Sequence, residues 1–75
     1  MNYKFIDYYI KFGLNVAYYR KLKNITQSEL ADIINAETNH ISKIETANVG
    51  MSFDRFFEIS DALGVAPHKL LEFRE

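Results

Sequence analysis

The residues of this chain whose types and spacing could do chemistry cluster between Thr38 and Asn48. At helical spacing Asn39, Ser42, Lys43 and Thr46 fall on one face at steps of three and four, while Ile41 and Ile44 share the opposite one. The polar face is short-chained: amide, hydroxyl and a single cation, where a merely solvated face is usually rich in long Lys and Glu. Such groups bond base edges and phosphates in a major groove. An ordinary surface helix is the alternative reading of this stretch taken alone. Bond-making chemistry finds no support, because the chain has no glycine-rich phosphate loop and no Ser or Cys nucleophile with an evident His base. His40 and His68 have no second ligand at ligand spacing on their helices, so no metal site is expected. The chain is therefore expected not to be an enzyme, to use no cofactor and to take no small-molecule substrate.

The polar helix needs an element to position it, and the residues before it supply one. Thr26 is an N-cap type with Glu29 three residues on, the spacing of a capping box, and Leu30, Ala31, Ile33 and Ile34 give the apolar side of a short helix. Asn35 marks its end, at a turn where one residue must adopt a left-handed conformation that Asn tolerates after Gly. The second helix then runs from about Thr38 to Thr46, and the pair reads as a helix-turn-helix.

Phe12-Gly13, Val16, Arg20, Thr26-Gln27, Leu30-Ala31, Ile41-Ser42-Lys43-Ile44-Glu45, Ala62-Leu63-Gly64-Val65 and Leu70-Leu71 together resemble the phage-repressor-like Cro/Xre helix-turn-helix family. The resemblance covers roughly residues 10 to 73. It implies an all-α fold, a compact bundle of five helices of the lambda-repressor-like kind. It also implies a sequence-specific regulator of transcription that binds double-stranded DNA as a homodimer on a roughly palindromic operator. The alternative on the same scaffold is an antitoxin-type or other protein-interaction module, and the aromatic N-terminus could serve that role.

On that reading the residues take roles. Asn39 and Lys43, with Thr38 and His40, are expected to enter the major groove; Gln27, Ser42 and Thr46 are expected to approach the sugar-phosphate edges, and Asn48 is also expected to bind DNA. Gln27 sits at a helix N-terminus, where backbone N–H groups and the positive dipole end suit a phosphate. Arg20 lies one turn past Val16, so its guanidinium needs a partner, and the resemblance implies a structural ion pair with Glu45. Direct contact of Arg20 with phosphate is the alternative. The chain departs from the family at Ala47, where Gly is common, so the left-handed residue is expected at Asn48. Glu37 replaces the usual Ser or Thr cap, and a carboxylate there repels a phosphate backbone.

The remaining chain is read as support. A first helix is expected over about residues 3 to 23, with Phe5, Tyr9, Phe12, Val16 and Tyr19 in one stripe and Ile6, Ile10, Gly13 and Ala17 in a second. Residues 1 to 9 form an aromatic N-terminal extension beyond the matched region. Ser52 is expected to cap another helix that ends at Gly64, and Pro67 to open the last. Two apolar surfaces exceed what one small domain hides: the outer stripe of the first helix and the last helix. The expected dimer contact is Val65, Leu70, Leu71 and Phe73, with the N-terminal extension as a second contributor; a monomer that packs both surfaces inside is the alternative.

Composition sets the bounds. Seventy-five residues, 48% hydrophobic, allow one domain over residues 1 to 75 and no second one. Cysteine is absent, and the N-terminus, broken by Lys4 and Asp7, is too charged for a signal peptide or membrane span, so a cytoplasmic setting is expected. Net charge is −1, poor for a binder that relies on neutralising phosphates. Lys11, Arg20, Lys21, Lys23 and Lys43 precede the acidic run Asp54, Glu58, Asp61, Glu72 and Glu75. One positive side and one acidic side, or an evenly mixed surface, both fit that order.

Overall fold

The computed structural model describes residues 2–73 and contains, among them, helices and turns but no strand. A 3-10 turn at Tyr3–Phe5 leads into α1 (Ile6–Leu22), followed by α2 (Gln27–Ile33), α3 (Thr38–Glu45), α4 (Phe53–Leu63) and a second 3-10 turn at Pro67–Leu71. Among the described residues there are four α-helices rather than the expected five. The first helix starts later than expected, with Tyr3–Phe5 tightened into the 3-10 form. The last segment is a five-residue 3-10 turn, the form that short helical pieces take, and Asn15 Nδ2 fastens its end to α1 by donating to the carbonyl oxygens of Leu70 and Glu72 at 2.9 and 3.1 Å.

Start signals act as the residue types dictate. Thr26 and Glu29 form a reciprocal capping box, with Glu29 N–H donating to Thr26 Oγ1 at 3.0 Å and Thr26 N–H to Glu29 Oε1 at 2.9 Å. Ser52 Oγ accepts from the Arg55 N–H and opens α4. All four α-helices stop in the same way, with a left-handed residue just past the end: Asn24, Asn35, Ala47 and Gly64. In each case its N–H donates three residues back and the next N–H donates five back, as in Asn35 to Asp32 and Ala36 to Ala31. The left-handed residue after α3 is thus Ala47, at φ +62°, and not Asn48. The ending of α3 demands that conformation there, and Ala bears it at a cost of about 1–2 kcal/mol.

The core lies where the four helices meet, and Val16, Leu30, Ile41, Ile44, Ile59 and Leu70 are its most deeply buried side chains. Gly13 is what lets α3 reach it. A Cβ at Gly13 would stand 2.6 Å from the Ile44 carbonyl oxygen and 2.7 Å from that of Glu45, so the backbones of α1 and α3 touch only because there is none. The N-terminal extension is tied down by stacked rings, Phe5 on Tyr8 and Tyr8 on Phe73, with centroids 6.2 and 6.1 Å apart.

Gly13→Ala is expected to destabilise the fold by roughly 1–3 kcal/mol, because rigid backbone must move to admit the methyl. Urea unfolding measures it. At an uncrowded helix interior the same change would stabilise by about 0.5–1 kcal/mol, so the sign alone is diagnostic.

Candidate nucleic-acid interface

Ile41 and Ile44 are fully buried and bind α3 to the core, which turns Thr38, Asn39, Lys43 and Thr46 outward. His40 and Ser42 are half-buried at the edges of that face. The outward side chains divide by what they already bond. Thr46 Oγ1 donates to the Ser42 carbonyl at 2.8 Å, and Asn48 Nδ2 donates to Thr46 Oγ1 at 2.8 Å, so these two brace the end of the helix. Thr38, Asn39 and Lys43 have no hydrogen bond or ion pair from their side chains among the described residues. They are the groups available to a ligand.

The N-terminus of α3 is also open. Glu37 precedes it with no side-chain capping bond, whereas the capping box closes the start of α2. The exposed Glu37 carboxylate stands beside those N–H groups and opposes an approaching anion. Lys43 is the cation of α3, and Lys23 is drawn elsewhere, its Nζ 3.7 Å from where a Gly64 Cβ would lie, at the C-terminal end of α4. That position suits the negative end of the helix dipole.

One buried node holds α3 in place. Arg20 Nε donates to Glu45 Oε2 at 2.6 Å and Nη2 to Oε1 at 3.2 Å, with the two side chains only 10% and 6% exposed. Arg20 Nη1 also donates to the Ile25 carbonyl at 2.8 Å. Gln27 Nε2 donates to the same Glu45 Oε1 at 3.0 Å. Gln27 is therefore not a free amide at a helix tip; it is half-buried and oriented by the ion pair.

Two positioning residues escape a reading of spacing alone. Asn15 looks like a solvated polar residue in α1 but is buried under the C-terminal turn. Arg55 donates from Nη1 to the Ile34 carbonyl at 3.1 Å, bracing the end of α2 from α4. The sole hint for Asn15 is a polar side chain within a helix that is apolar over a wide arc. Among the surfaces expected to pair copies, Leu70 is fully buried in the core and so has no surface to offer. Val65 and Phe73 are half-buried, and Leu71 is exposed. Among the described residues no three His, Cys, Asp or Glu side chains are placed to hold a metal ion, and no helix is long and apolar enough to cross a membrane.

A helix-turn-helix family model matches residues 16–70, which spans α2, the turn and α3. The chain belongs to the Cro/Xre-type helix-turn-helix family of DNA-binding regulators. Its fold is similar to that of the restriction-modification controller protein C.AhdI from Aeromonas hydrophila, with a TM-score of 0.86 at 20% identity over 91% of this chain and 99% of that one. It is also similar to a hypothetical transcription factor, NHTF, from Neisseria, at TM-score 0.85 and 25% identity over 89% and 77% of the two chains. The clp gene regulator ClgR from C. glutamicum gives TM-score 0.79 at 22% identity over 83% and 80%. No curated protein matches the chain.

Arg20→Ala and Glu45→Ala are each expected to cost about 3 kcal/mol, since each leaves the other charge buried without a partner. Thermal or urea unfolding of both variants and the double variant is expected to show strong non-additivity. Additive losses would rule out the pair as the node that holds α3.

Proposed function

We propose that this protein is a sequence-specific, double-stranded-DNA-binding regulator of transcription, acting in the cytoplasm as a homodimer on a roughly two-fold-symmetric operator. The observation that carries the reading is the outward face of α3, where Thr38, Asn39 and Lys43 stand exposed and uncommitted on a helix held by buried bonds. Asn pairs with adenine through two bonds and Lys favours guanine acceptors, so the three are the base readers and His40 lies at their edge. Gln27, Ser42, Thr46 and Asn48 flank that face and take the backbone side. Gln27 does so from the amide that Glu45 orients. The similarity to a controller protein and to a clp gene regulator supports a regulatory role.

The dimer follows from affinity. One reading helix with one cation binds weakly, whereas two related by a two-fold axis and about 34 Å apart span successive major grooves. Of the residues expected to pair copies, Leu71 is exposed and Val65 and Phe73 are half-buried, which supports a contact centred on Leu71. The second reading, a protein-interaction module of antitoxin type, draws on the apolar groove that Phe5, Tyr8, Phe53 and Phe73 line. Selection of bound sites from random duplex DNA separates the two: a symmetric consensus supports the regulator, and no enrichment supports the protein-interaction module.

Asn39→Ala is expected to relax base preference at one position of each half-site, with about 1–3 kcal/mol of discrimination lost. If quantitative footprinting finds affinity and preference unchanged in Asn39→Ala and Lys43→Ala together, α3 is not the reading helix. Leu71→Glu is expected to lower the mass at which the protein sediments at micromolar concentration. A wild-type protein that sediments as a monomer, both free and on DNA, would end the dimer reading.

A further inference from the structure

We infer that the outer face of α1 is an antiparallel interface between two copies of this chain, a surface separate from the Leu71 contact. Asp7, Ile10, Leu14, Tyr18 and Lys21 follow one another at steps of three, four, four and three residues. At 3.6 residues per turn they occupy an arc of about 80° on one side of the helix. All five are exposed, with Ile10, Leu14 and Tyr18 at 43%, 61% and 46%. The buried residues of α1, Phe12, Gly13, Asn15, Val16 and Arg20, lie on the other side. The row stays open to solvent along its length, and Tyr18 does so although its ring also meets that of Tyr19 edge-on, with centroids 5.0 Å apart.

Its order says what the partner is. Leu14 is the midpoint of Ile6–Leu22, and the row is symmetric about it in chemistry as well as spacing. A two-fold axis through Leu14 sets that residue against its own copy and Ile10 against Tyr18. It sets Asp7 against Lys21 at both ends. Opposite charges then meet twice, and apolar groups meet between them. A parallel pairing would set Asp7 on Asp7 and Lys21 on Lys21, which like charges oppose. Neither Asp7 nor Lys21 forms an ion pair with another described residue. The row is complementary to itself in one orientation, and a second copy of this chain supplies that complement. Because α3 packs on the other side of α1 by way of Gly13, the pairing leaves the polar face of α3 open. A chain that also pairs through Leu71 would thereby join one operator-bound dimer to the next.

The absence of cysteine from the chain makes the geometry directly readable. Helices packed 8–10 Å apart bring facing Cα atoms to about 5 Å, inside the range a disulfide spans. Leu14→Cys is therefore expected to form a disulfide-linked dimer under mild oxidation. Ile33→Cys, at an exposed apolar site on α2, is the control and is expected not to. Ile10→Cys and Tyr18→Cys are expected to link to each other when mixed and not to themselves. Adding Asp7→Lys to Leu14→Cys is expected to slow the linking roughly fivefold or more, and adding Lys21→Asp as well to restore it. Each variant is expected to keep the circular dichroism spectrum of the unaltered protein, which shows that it is folded. If Leu14→Cys links no faster than Ile33→Cys, or Ile10→Cys links to itself as fast as to Tyr18→Cys, the interface is overturned. Failure of Leu71→Glu to change the mass leaves this result untouched, since the two surfaces share no residue.

Discussion

A single buried ion pair joins four segments of this molecule. Arg20 reaches from α1 to Glu45 on α3 and to the Ile25 carbonyl in the turn before α2, and Gln27 on α2 donates to the same carboxylate. Burying two charges costs much of what their attraction returns, so the pair is a weak source of net stability and a strong source of orientation. Gly13, two helical turns earlier on α1, acts on the same end of α3 by letting its backbone touch Ile44 and Glu45. The two contacts grip α3 from one side. The tilt of its outward residues follows from that grip.

The helices being held are short. α2 and α3 have seven and eight residues, lengths at which an isolated helix does not persist in water, so their existence depends on packing. Repeated left-handed hooks at Asn24, Asn35, Ala47 and Gly64 satisfy the terminal carbonyls and turn the chain within a few residues. Arg55 adds a bond from α4 to the end of α2, and Asn15 ties the C-terminal turn to α1. Each element thus takes its end from local chemistry and its place from a long-range hydrogen bond.

The surface separates its chemistries. Short polar groups collect on α3, with Lys43 the cation of that helix, and Lys23 serves the end of α4. With a net charge of −1, the proposed affinity for DNA rests on shape and base contacts more than on phosphate neutralisation, and Glu37 adds a repulsion that a poor fit does not overcome. Apolar groups collect away from α3, on the outer row of α1 and around the Phe5–Tyr8–Phe73 stack.

What the sequence determined by itself were the features whose partners lie within a few residues. The Thr26–Glu29 box, the turn at Asn35, the Ser52 cap, the Gly64 stop and the inward pair Ile41 and Ile44 all follow from spacings of one helical turn, where geometry leaves no choice of partner. The Arg20–Glu45 pair, separated by 25 residues, was legible only because the surrounding motifs resemble a known family. Tertiary structure decided the rest. It buried Asn15, took Leu70 from an expected surface into the core, tightened the last segment into a 3-10 turn and placed the left-handed strain on Ala47 rather than Asn48. In the first two cases the deciding contact joins α1 to the C-terminal turn, more than fifty residues away in the chain, and no periodicity within either segment records which residue of the other it will meet. For Ala47 the decision lay in how far the packing of α3 on α1 carried the helix before its final hydrogen bonds closed.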